Sequence, residues 1–207
     1  MNTKKINSIK SLSHLYTVIM GVALSSAVIN YIDPKIGMDS VNFASTCLFL
    51  AFIFTLFPFY HGALRHLDDA YIENDSDHIK DGALIFDFFL LFIHGIVFIA
   101  LSLLLSKPAQ FTWILLFVLS IDVVWAIFAH FGSSSHEGKA EWKWGVINAI
   151  AAAIIFITIK YFDIGYMEIA DAKFSEAISL TIAIAACFRT LADYIFCYKF
   201  YFPSDTS

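Results

Sequence analysis

Six apolar stretches, at about residues 14–32, 41–60, 83–105, 111–131, 142–162 and 177–202, constrain this chain more than any other feature. A helix needs roughly 20 mostly apolar residues to cross a hydrocarbon core of about 30 Å. In lipid each span must also satisfy its own backbone N–H and C=O groups, which a helix does without help from a neighbour. The expected fold is therefore all-α: one integral membrane domain over residues 1–207, a polytopic bundle of about six transmembrane helices. Composition points the same way, since only 15% of the residues are charged, against about 25% in a typical soluble domain. The net charge of −5 supplies no basic stripe, so nucleic acid is not an expected partner and the bilayer is. Cys47, Cys187 and Cys197 all lie inside apolar runs and read as small buried residues rather than disulfide partners.

Lys4, Lys5 and Lys10 precede the first apolar run. No small-x-small site closes that run, so it reads as a first span and not as a cleavable signal. Asp33-Pro34 and Lys107-Pro108 punctuate two of the connections, as proline does where a helix stops. With the N-terminus inside, Lys4, Lys5, Lys10, Arg65, Lys80, Lys139, Lys143 and Lys199 share one side, against Lys35, Lys107, Lys160 and Lys173 on the other. That imbalance predicts N-in, C-in, and the expected location is a bacterial cytoplasmic membrane. Trp142 and Trp144 would then sit at the inner headgroup level and Trp113 near the outer one.

Ionisable side chains inside spans are costly, at about 2.5 kcal/mol or more near the centre, and are functional candidates by default. His94, Asp122 and Arg189 fall near the middle of spans three, four and six, with Asp193 one turn from Arg189. Asp87 is seven residues before His94 and shares its helix face. A lone Arg189 would be intolerable in hydrocarbon, so Asp122 or Asp193 is expected to neutralise it. Small residues allow close helix approach in lipid. They recur as Gly145, Ala149 and Ala153, as Ser179, Ala183, Ala186, Thr190, Asp193 and Cys197, and as Gly21 and Ser25. These faces are expected to point into the bundle or toward a second copy, making a homo-oligomer the expected state.

The longest polar insertion, the connection 61–82, carries His61, Arg65, His66, Asp68 and Asp69 within nine residues. As a helix it would place Ala63, Leu64, Leu67, Ala70 and Tyr71 on one side and most of its charges on the other. It reads as an amphipathic extension of span two at the membrane surface, with a bend at Pro58 and Gly62. Together with His130 it forms the expected cytoplasmic mouth or docking edge. Metal chemistry is not expected. His61 and His66 are five residues apart and so lie on different faces, and Asp75-x-Asp77-x-x-x-Asp81 lacks the glycine and closing glutamate of a calcium loop. No cofactor is expected: His94 has no partner histidine at matched depth for haem, and retinal would need a lysine deep in a span.

Three functions fit these residues. The leading one is a small oligomeric channel, transporter or membrane effector acting through Asp87, His94, Asp122, Arg189 and Asp193. The second is a sensor or scaffold that presents Tyr60–Lys80 and His130–Lys143 to a cytoplasmic protein partner. The third is a membrane enzyme using His61, Asp69, Asp87, His130 and Asp193 as acid–base groups; no nucleophile elbow or phosphate loop accompanies them, and the reading leans against an enzyme.

Overall fold

The computed structural model describes residues 3–32, 41–73, 81–132, 139–165 and 172–203. They form α1 (Thr3–Tyr31), α2 (Phe43–Asp68), α3 (Asp81–Ser102), α4 (Pro108–Gly132), α5 (Lys139–Tyr161), α6 (Ala172–Phe196) and a single-turn α7 (Tyr198–Tyr201). Six of these helices are long and apolar enough to cross a membrane. The protein is an integral, multi-pass helical membrane protein. The acidic turn at Asp75 and Asp77, and His78, Lys80 and His136, lie outside the described residues.

The helices close a ring in the order α1, α3, α4, α5, α6, α2, each packing on the next, and α2 leans inward far enough to touch α3 and α4. One face of α1 supplies Ile9, Leu12, Tyr16, Met20, Ala23 and Ala27, all buried, at the three- and four-residue steps of a helical stripe. At the α1–α3 crossing a Cβ on Gly95 would come within 2.4 Å of Ile19 Cγ2, so this approach requires glycine. Of the expected small-residue face, Ser179, Ala183, Ala186 and Asp193 on α6 are buried, Thr190 is half-buried, and Cys197, just past the end of α6, is buried. On α5 only Gly145 of its expected trio turns inward, against Ala126, while Ala149 and Ala153 are exposed. Gly21 and Ser25 of α1 also face outward.

Two helices are longer than a crossing requires. At 1.5 Å per residue, α1 and α2 with its continuation each reach well beyond a hydrocarbon core of ~30 Å. Both excesses fall at the end where α1 begins and α6 finishes, the terminal side of the bundle. The expected extension of span two is present and continuous with that helix. Helix α2 runs unbroken through Pro58 to Asp68 and continues as a π-helical turn over Asp69–Glu73. Gly62, His66, Leu67 and Tyr71 are buried, so this extension is a packed part of the bundle.

Pro58 does not break α2 because a neighbour repairs the damage. A proline in a helix leaves the carbonyl four residues earlier without its N–H, which here is that of Phe54. Thr190 Oγ1 on α6 donates to Phe54 O. At the other end of α2, Asn42 and Ser45 form a capping box: Ser45 N donates to Asn42 Oδ1 at 2.8 Å and Asn42 N to Ser45 Oγ at 3.2 Å.

The large apolar side chains and the ionisable side chains of the interior differ in depth. In the half away from the terminal side, Phe98, Leu101, Phe111, Leu115, Ile155 and Ile182 fill the interior. Of the buried ionisable groups, Asp87, Asp122, Arg189 and Asp193 lie toward the terminal side and His94 near mid-depth.

Candidate functional site

Asp87, in the second turn of α3, is held by three donors from three elements. Tyr71 Oη donates at 2.5 Å, Trp125 Nε1 at 3.0 Å, and His66 Nε2 faces the same carboxylate at 3.2 Å. Hydrogen bonds to a charged group contribute about 1.5–3 kcal/mol each, enough to hold a carboxylate that is only 6% exposed. The π turn carries Tyr71 into this group. A turn of that kind shifts the helical register by one residue, and Tyr71 faces inward together with His66.

A second group crosses α4, α5 and α6. Asn148 Nδ2 donates to Asp122 Oδ2, and Arg189 Nε donates to Asn148 Oδ1 at 2.7 Å. Arg189 Nη2 lies 3.8 Å from Asp193 Oδ2, and Tyr201 Oη donates to the same oxygen at 3.0 Å. The guanidinium stacks over Phe59, 4.6 Å from the ring centroid, a favourable placement for a cation away from water. Asp193 thus makes the ion pair with Arg189, and Asp122 is joined to it through the amide of Asn148.

Between the two groups lies a cavity of about 30 Å³ whose walls include Asp87, His94, Asp122, Asn148, Arg189 and Asp193. That volume holds one or two waters. Arg189 Nη1 and His94 Nε2 are buried and have no hydrogen-bond partner among the described residues. The His94 ring is fixed edge-on to Phe59, with centroids 5.4 Å apart. In hydrocarbon such groups need an acceptor or a donor, and the cavity is where one would sit.

The terminal side of the cavity is roofed by α7. A Cβ on Gly62 would meet Tyr201 Oη at 3.2 Å and the Trp144 ring at 3.5 Å. Gly62 therefore serves this close approach and not a bend. Arg65 Nε donates to Phe200 O at 2.9 Å, and the His61 ring lies 4.7 Å from that of Tyr201. Burial, and then the Asp193 charge, keep the Tyr201 hydroxyl protonated well above the usual tyrosine range. The same causes push the Cys197 thiol up to about 12, so it is not a nucleophile at neutral pH.

The residues of the expected mouth are dispersed. His66 joins the Asp87 group, while His61 and Arg65 hold α7. Asp69 pairs with Arg65 at 3.8 Å, and Asp68 is exposed. His130 lies against Trp142, 5.8 Å between ring centroids, and does not line the cavity. Asp87, His94, Asp122, Arg189 and Asp193 are brought to one cavity.

Several contributors escape a search for ionisable residues: Phe59, Tyr71, Trp125, Asn148 and Tyr201. Asn148 carries a signal that such a search passes over, an amide near the middle of a span, where Asn bonds across helices. Trp142 and Trp144 differ in burial. Trp144 is 5% exposed and stacks on Trp125 at 5.9 Å, while Trp142 is 54% exposed. Among the described residues, no three side chains of His, Cys, Asp or Glu are grouped as metal ligands would be. Comparisons with protein-family models, curated proteins and solved structures found no match.

Proposed function

We propose that the protein is a carrier of protons or small monovalent cations, with its binding site in the cavity between Asp87, His94, Asp122 and Asp193. The observation that carries this reading is the charge balance around Arg189. Two buried carboxylates, Asp122 and Asp193, belong to one guanidinium, and a third, Asp87, is paired with His66; with His66 as an imidazolium, one negative charge is left in a cavity the size of one or two waters. A proton or a small cation neutralises it, and unbalanced charge in a membrane interior is strongly disfavoured. The apolar packing of Phe98, Phe111, Leu115 and Ile182 beyond the cavity favours a carrier that opens to one side at a time over a standing pore through one protomer. The lysine and arginine bias supports a cytoplasmic terminal side.

Flux into proteoliposomes tests this. Wild-type protein is expected to dissipate an imposed proton, sodium or potassium gradient, and Asp122→Asn to slow that flux about tenfold or more, as loss of a site worth ~1.4 kcal/mol would. Wild-type vesicles no leakier than empty ones to all three ions would overturn the proposal. The His66–Asp87 pair favours a second reading, an intramembrane acid–base enzyme, because a carboxylate-oriented imidazole is a ready general base. That reading requires a turnover abolished by His66→Gln with no ion flux.

A further inference from the structure

We infer that the groove between α5 and α6 on the outside of the bundle is a binding site for an anionic phospholipid, with its phosphate at Lys143, its glycerol backbone beside Arg189 and an acyl chain along Ile150 and Ile154. The groove encloses about 490 Å³ and lies on the other side of Arg189 from the polar cavity. Its surface is apolar apart from its two cations, Lys143 and Arg189, and no acidic residue lines it. A concave apolar wall with positive charge at one end fits a lipid tail and an anionic headgroup.

Depth supports the same occupant. Trp142 and Lys143 are exposed at the terminal end of α5, where an indole and an ammonium sit at headgroup level. Lys143 Nζ donates to Phe196 O at 2.8 Å, using one of its three donors and leaving two for a phosphate. Arg189 meets α5 at Asn148, five residues on from Lys143 and so about 7.5 Å deeper. That is the region of ester carbonyls beneath a phosphate. Arg189 lines the groove at that depth and adds its positive charge to that of Lys143. Beyond it, Ile150, Ile154, Ala185 and Phe188 line the groove, and all but the small Ala185 are exposed. This site is separate from the cation reading and does not depend on it.

Native mass spectrometry of the full chain in detergent, given equal phosphatidylglycerol and phosphatidylcholine with identical acyl chains, tests the inference. The wild type is expected to retain phosphatidylglycerol about tenfold over phosphatidylcholine, the ratio one charge-assisted contact supports. Lys143→Gln is expected to bring that ratio close to one, and Ile150→Trp, which fills the groove, to lower retention of both lipids. Equal retention by the wild type overturns the proposal, as does a preference unchanged in Lys143→Gln. Quantitative disulfide-linked dimers of Ile150→Cys in native membranes also overturn it, because a second copy would then occupy the groove.

Discussion

Asn148 has a central place among the polar residues although it carries no charge. Its amide faces two ways, giving a donor to Asp122 and an acceptor to Arg189, so two ionic groups on different helices meet without touching. Leucine at this position has a similar size and neither function. Asn148→Leu is expected to destabilise the protein by about 3–5 kcal/mol, the cost of leaving a buried charge without its partner, read as a fall in thermal unfolding temperature in detergent. Arg189→Ala is expected to lower folded yield more than Asp193→Asn, because the arginine loses contacts to Asn148, Asp193 and Phe59 together. Much at this scale was legible. Asp87, His94, Asp122, Arg189 and Asp193 stand out because each is expensive in lipid, and expense in a fixed solvent is visible in sequence alone. Asn148, Tyr71 and Tyr201 cost less and do not stand out, though they complete the network.

Helices α2 and α6 show how one element's defect sets another's sequence. The carbonyl freed by Pro58 is met by Thr190, so the two residues should be energetically coupled. Thr190→Val is expected to cost about 1–2 kcal/mol, the penalty for an unmet buried carbonyl. In a Pro58→Ala background the cost should fall toward zero, because the backbone N–H that alanine restores takes the carbonyl of Phe54. A double-mutant cycle of unfolding free energies measures the difference, and equal costs in both backgrounds would show that the two sites are independent. The inward face of α6 was readable from its small-residue steps. That of α5 was not, because small residues are as acceptable toward lipid as toward protein, and Trp144 and Asn148, not Ala149, face the interior. The extension of α2 misled for a related reason. Polar periodicity normally marks the wet face, but His66 turns inward here because Asp87 waits there to receive it.

At the scale of the whole molecule, an even number of spans puts the start of α1 and the end of α6 on one side. Reporters fused before α1 and after α7 are expected to report the same compartment, the cytoplasm, by the bias in lysine and arginine; opposite signals would exclude an even number of spans. The number and approximate limits of the spans were legible because length and hydropathy are set by the bilayer. The ring order was not, since which helix neighbours which depends on contacts such as that of Gly95 with Ile19. The spacing of Arg189 and Asp193 has a consequence for how the chain is built. The two are paired within one turn of α6, so this helix brings its own counterion when it leaves the translocation machinery. Asp122 and Asn148 belong to α4 and α5, which precede it in synthesis. The most expensive side chain in the protein therefore enters the membrane partly neutralised, and finds the remainder of its partners already in place.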